Sequence, residues 1–299
     1  MTVLTAGRRA QARAGDKKGQ GSKGRPVQRT TRILYYIALC VLAIYSLGPL
    51  VIFIFTALKS ETALAQDPLG YPHHLAWSNF QQAWEQGHLA TGLVNSAIIT
   101  TGTVLGVCVI AGCAAHAMAR LDLPGSGLVT VYLLGTTALP IQLFLVPLFF
   151  LWSHLGLYNN LFGIIVIYWA IFSPFATLLL RSYLLSIPRD YEDAARLDGA
   201  GELSVLRRVT LPLAAPGFVT IALVSGLAAW NEFLLAVTFL QSTDKQPISI
   251  ALHSFQQGFT QNYALISAAG VVMLLPMVLF FLLLQRRFVA GLTAGGLGG

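Results

Sequence analysis

Few residues in this chain have the types and spacing that chemistry needs. Glu232, in the run Trp230-Asn231-Glu232-Phe233, is the one carboxylate well inside an apolar stretch. Exposing its charge to lipid at mid-depth would cost about 2.5–3.5 kcal/mol or more, so it either lines a polar pathway or is an interfacial residue satisfied by a neighbouring helix. A second group sets the aromatics Phe255, Phe259 and Tyr263 among Gln256, Gln257, Gln261 and Asn262. Aromatics among amides suit hydroxyl-rich ligands and equally suit a loop at a membrane interface. A third places Asp190, Glu192 and Asp193 within four residues, where carboxylates favour the positive end of a helix. The six histidines, His73, His74, His88, His116, His154 and His253, are scattered, and Cys40, Cys108 and Cys113 lie in apolar runs without metal-like spacing. Gly-Lys-Ser/Thr, Gly-x-Ser-x-Gly and His-Glu-x-x-His are all absent. The reading is therefore a chain with no catalytic residues, no metal and no ATP hydrolysis of its own.

The elements that must position these groups are membrane spans. With 299 residues, 55% hydrophobic and 10% charged, and a mean hydropathy of +0.67, the chain lies far outside the soluble range. A membrane helix needs about 20 mostly apolar residues. The charge-poor runs accordingly predict an all-α membrane protein with six spans near 33–58, 92–119, 127–152, 161–180, 213–240 and 264–284. Residues 1–32 read as a disordered basic tail, 33–287 as the membrane domain and 288–299 as a second tail. Ala63-Leu64-Ala65 has the look of a leader cleavage site, but the apolar run before it is too long for a leader peptide.

The net charge of +7 is local: the first 32 residues hold nine Lys/Arg against one acid. A nucleic-acid partner is not expected from such a distribution, whereas a basic tail beside a first span fits anionic membrane lipid. Lys and Arg fall seventeen on the side of the two termini and of residues 181–212, against two on the other. That asymmetry places the termini and this loop in the cytoplasm of a multi-pass cell-membrane protein.

The stretch from Asp190 to Pro212 is the longest polar interruption that still reads as ordered. Pro188 suits a first turn, the three acids suit the helix start, and Gly199 is a natural stop. A second short helix is expected over about 202–209, with Leu203, Leu206 and Val209 on one stripe, ending before Pro212. Together these form a pair of short docking helices between spans four and five. The residues Asp193-Ala194-Ala195, Gly199, Val209 and Leu211-Pro212 resemble the EAA loop of membrane subunits of binding-protein-dependent ABC importers. Every spacing of that pattern is kept, with Asp193 for Glu and Val209 for Ile. The resemblance implies that this loop couples the permease to a separate ATPase dimer, which binds ATP and Mg, so this chain needs no cofactor.

Trp230, Asn231 and Glu232 also resemble a segment of the carbohydrate branch of these permeases, and 288–295 resembles the tail of maltose-type (MalG-like) subunits. The resemblance implies a sugar or oligosaccharide importer with three kinds of partner: a second, MalF-like permease, the ATPase dimer and an extracytoplasmic sugar-binding protein. It makes Trp230, Asn231 and Glu232 pathway residues, and Phe255, Phe259 and Tyr263 a contact region for the binding protein. Rival readings are an ABC permease for polyamines, phosphate or peptides, and a secondary transporter. The latter should carry several buried ionisable groups or paired broken helices.

Overall fold

The computed structural model describes residues 26–255 and 262–296, and these are helical with short connections. In chain order the helices are α1 (Pro26–Ala57), α2 (Glu61–Gln66), α3 (Ser78–Gln86), α4 (Leu89–Arg120), α5 (Ser126–Ala138), α6 (Leu145–His154) and α7 (Leu161–Ser186). There follow α8 (Asp190–Leu197), α9 (Glu202–Val205), α10 (Leu211–Asn231), α11 (Leu234–Phe239), α12 (Ile248–Ser254) and α13 (Tyr263–Gly296). Among the described residues five helices are long and apolar enough to cross a membrane, and a sixth crossing results if α5 and α6 count as one bent span.

The chain divides into a unit ending at Ile52 and a unit beginning at Phe53. In the first, the described residues belong to α1, and its apolar side chains from Ile33 to Ile52 are largely exposed. An apolar helix surface of that extent is suited to lipid or to another protein, not to water.

The second unit is built around α4. Ile99, Thr103, Val107, Ala111, Ala115 and Ala119 are all buried and recur every four residues, so they form one ridge along the helix. The three alanines at its far end let α7 and α10 approach closely, and there Ala111, Ala115 and Ala119 pack with Ala176, Leu180, Leu184, Ala214 and Ile221. Toward the start of α4 the core is bulkier, with Ile99 among Ile164, Tyr168, Leu235 and Phe239. A third cluster joins Trp230 to Leu89, Ile248, Leu265 and Ala268.

The helices depart from the expected spans in several places, each with a local cause. The third span, expected as one helix over 127–152, is bent by 87° between α5 and the turn opening α6. Pro140 has no N–H and pushes Leu139 into an extended conformation (ψ 125°). The Thr136 and Thr137 hydroxyls donate to Leu133 O and Leu134 O just before the bend, as side chains do where a membrane helix is broken.

The second short helix of the 190–212 stretch does not end before Pro212. It passes through a π-helical turn, Leu206–Thr210, in which the Leu211 N–H reaches back to Leu206 O, and continues as α10. Nor does the fifth span run to residue 240. Helix α10 stops at Asn231, Glu232 is extended (ψ 126°), and the chain restarts as the short α11. At the ends, α1 begins at Pro26, within the segment expected as a tail, and α13 runs to Gly296, through most of 288–299. At about 1.5 Å per residue its 34 residues exceed the roughly 30 Å of a hydrocarbon core.

Candidate functional site

Helix α8 lies at the end of the bundle where α4 and α7 finish and α10 begins. Its first turn carries Asp190, Glu192 and Asp193, which complement the helix dipole, and Arg196 stands in its last turn. Gly199 closes it with a positive φ of 84°, the left-handed conformation that only glycine adopts without strain. The Gly199 N–H donates to Arg196 O and the Ala200 N–H to Ala195 O, so the last carbonyls are satisfied by the turn itself. A Cβ at Gly199 would meet nothing within 4 Å, so the requirement is conformational and not steric.

Seven of the eight residues of α8 are not buried; the exception is Glu192, at 2%. Its carboxylate accepts from Arg120 Nε at 2.8 Å and from the Thr210 hydroxyl at 3.0 Å, both at Oε1. Arg120, whose side chain is also buried, donates in addition from Nη2 to Ile187 O at 3.1 Å. One carboxylate thus joins the last residue of α4, helix α8 and the π-turn at the start of α10. Arg196 approaches the other oxygen at 3.7 Å, and its stronger partners are Asp193 (2.8 Å) and Glu202 (2.8 Å). Those two carboxylates, Glu202 first, hold the Arg196 guanidinium above its ordinary range. Farther out, Arg189 makes a two-pronged bond to Asp122 at 2.9 and 3.1 Å and holds that carboxyl below the usual carboxylate range.

The expected coupling residues fall on this element as follows. Asp193 and Ala194 are exposed and Ala195 is half-buried; Val209 lies in the π-turn, and Leu211 and Pro212 open α10 with exposed side chains. The outward surface of α8 and α9 also presents Tyr191 (56% exposed), Leu197 (89%) and Leu203 (77%). These are the large apolar side chains that α8 and α9 leave exposed among their charges. The sequence reading missed Arg120 and Thr210; the signal it had was the lone arginine closing the long apolar run of α4.

At the opposite end the three expected pathway residues go separate ways. Trp230 is buried in the core, its Nε1 donating to Met273 O at 3.3 Å. Asn231 is exposed, with Nδ2 donating to Leu227 O. Glu232 is engaged on both oxygens: it accepts from the Tyr168 hydroxyl at 2.8 Å and from the N–H groups of Leu235 and Ala236. It is the carboxylate that starts α11, and its oxygens are satisfied by neighbouring groups. Phe255 packs beside Gly87, Tyr263 is exposed at the start of α13, and Phe259 lies outside the described residues.

The loop between α11 and α12 is held by amides that the sequence reading did not single out. Asn95, on α4, donates to Asp244 O and Gln246 O, and Ser96 accepts from the Ile248 N–H. Asn159, in the turn before α7 with φ 54°, accepts at Oδ1 from the N–H groups of Gln241 and Ser242, and its own carbonyl accepts from Lys245 Nζ.

The described residues form several helices of membrane-spanning length with a braced polar helix at one end, the architecture of a multi-span membrane protein, and the family follows from comparison. Residues 106–293 match the model of the binding-protein-dependent transport system inner membrane component, and the chain belongs to that family. It is 35% identical to the sulfoquinovosyl glycerol transport system permease protein SmoH of Agrobacterium fabrum, over 89% of this chain and 94% of that one. It is 33% identical to the trehalose transport system permease protein SugB of Mycobacterium tuberculosis, over 90% and 98%. Among solved structures, a chain of a bacterial ABC transporter involved in import of the acidic polysaccharide alginate superposes with a TM-score of 0.74 over 91% of this chain and all of that one. At 23% identity that likeness establishes the fold.

Proposed function

We propose that this chain is the permease subunit of an ATP-driven importer of a sugar or oligosaccharide, forming half of the membrane pathway with a second permease. The observation that carries the reading is α8: a charged helix tied by one buried carboxylate to two spans, with Tyr191 and Leu197 exposed on it and Leu203 exposed on the adjoining α9. That outward surface is the docking face for an ATPase subunit, which supplies the ATP and Mg chemistry. Burying a leucine there contributes about 1.5–3 kcal/mol. The excess of Lys and Arg on this side supports a cytoplasmic position for α8 and both termini. The braced loop over residues 241–248 and the region of Phe255, Phe259 and Tyr263 then face an extracytoplasmic sugar-binding protein. Family membership supports the importer, and the relatives named for sugar transport support the cargo class.

The test is uptake of radiolabelled trehalose, maltose and raffinose by right-side-out vesicles that contain the complex and its binding protein. Uptake that requires internal ATP and survives collapse of ion gradients is the expected result. Uptake driven by an ion gradient without ATP would replace this reading with a secondary transporter. Uptake of a polyamine, phosphate or peptide in place of every sugar would keep the importer and change the cargo.

A further inference from the structure

We infer that Glu192 is the positioning residue through which movement of α8 reaches α4 and α10, so that the pair Arg120–Glu192 with Thr210 is the mechanical joint of the subunit. This rests on the reading of α8 as the ATPase-docking helix.

Along the chain α8 is attached only to α7 through residues 187–189 and to α9 through the Gly199 turn. Both connections are irregular: Ile187 is extended with ψ 121°, Pro188 follows it, and Gly199 is left-handed. Motion passed only through such links would be absorbed by their dihedral angles. Side-chain paths run beside them: Arg189, just before α8, donates to Ala119 O at the end of α4 and to the exposed Asp122, and a second, buried path passes through Glu192. Glu192 Oε1 takes Arg120 Nε at 2.8 Å and the Thr210 hydroxyl at 3.0 Å, and Arg120 Nη2 returns to Ile187 O, so four elements meet on two buried side chains.

On the α10 side this link runs beside a cavity. Thr210 forms part of the wall of an apolar cavity of about 550 Å³, lined also by Leu184, Leu206, Leu211, Ala214 and Phe218. The π-turn therefore has open volume on one flank and a charge-assisted hydrogen bond on the other. A π-turn has a hydrogen-bond register different from the helices on either side and is a frequent site of functional adjustment. Pulling on Glu192 moves Thr210, and with it the start of α10, while Arg120 carries the same displacement to the end of α4.

The experiment uses the whole complex, reconstituted in proteoliposomes with its ATPase and binding protein, and compares wild type, Glu192→Gln, Thr210→Val and the double variant. ATP hydrolysis and uptake of the labelled sugar that the wild type transports are measured on the same preparation, per mole of assembled complex. Thr210→Val keeps the side-chain shape and removes only the hydroxyl, so it reports on the joint even if Glu192→Gln assembles poorly. Uptake per ATP hydrolysed is expected to fall about tenfold in Glu192→Gln and about threefold in Thr210→Val, with hydrolysis persisting. The double variant should lose less than the product of the two single losses, because one substitution removes the charge and the other the hydroxyl donor at the same carboxylate oxygen. Uptake per ATP at the wild-type value in both single variants would overturn the inference. So would uptake and hydrolysis falling together in proportion to the complex recovered, which is what a purely structural ion pair would give. A wild-type chain that recovers no ATPase would overturn the docking reading itself, and is distinguished by being seen before any variant is made.

Discussion

The two ends of the bundle hold their loops by different chemistry. At the α8 end the fastening is ionic: Arg120 and Glu192 are buried together, with Arg196 and Arg189 in outer ion pairs. At the opposite end it is made of amides and hydroxyls on backbone groups, through Asn95, Ser96 and Asn159, joined there by Lys59, whose Nζ donates to Asp67 O at 2.6 Å. Side chain to backbone bonds clamp one loop onto the outer ends of α4 and α7. A charge pair between side chains of separate helices fixes the position of one element against another. The contrast is what a subunit requires if one end presents a set surface and the other transmits displacement.

The sharpest way to break the contrast is to unpair the buried charge. Glu192→Ala leaves Arg120 buried with only Ile187 O, and the expected loss is about 3–5 kcal/mol of stability, read as a large fall in thermal midpoint in detergent. At the other end Asn159→Ala removes the acceptor for the Gln241 and Ser242 N–H groups, at an expected cost of about 1–3 kcal/mol. Hydrogen exchange over residues 241–248 should rise in this variant with no change at α8, which checks that the damage stays local.

Gly199→Ala should cost about 1–2 kcal/mol because φ is 84°, although the added methyl meets no neighbour. Gly199→Asn should cost less, and thermal unfolding of the two variants separates backbone strain from crowding. The smallest effect is expected at Asp122–Arg189. The Asp122 carboxyl is held below its ordinary value, so whatever the pair contributes is present above about pH 4 and is lost as pH falls through the depressed value. Because the pair is exposed, Asp122→Asn should be nearly silent in 0.5 M salt, as a thermal melt at two salt concentrations will show.

Much of the fold could be read from charge-poor runs, because hydrophobic length alone locates a membrane helix. The boundaries that differed depend on single residues inside those runs. Pro140 could be seen in the third span, but a proline in a membrane helix can kink it slightly or turn it through 87°, and the outcome depends on neighbours far away in sequence. Glu232 could be seen as unusual; that its carboxylate starts a helix and meets Tyr168, 64 positions earlier, could not. The three acids and Gly199 mark α8 locally, since dipole and dihedral preferences act within a turn. Arg120 and Glu192 are 72 residues apart, and nothing in either neighbourhood specifies the other. The pair becomes visible only once α4 and α7 are packed along the Ala111, Ala115 and Ala119 ridge.

The most direct measurement is affinity purification of the tagged chain from membranes in mild detergent, with identification of what accompanies it and an assay of ATP hydrolysis, for wild type and for Leu197→Asp. Leu197 is 89% exposed, so the substitution leaves the fold intact and places a charge on the docking face. The account predicts that wild type brings down an active ATPase and a second permease, and that Leu197→Asp retains the permease and loses the ATPase. Recovery of the wild-type chain without an ATPase, or an ATPase bound equally well by Leu197→Asp, would contradict it.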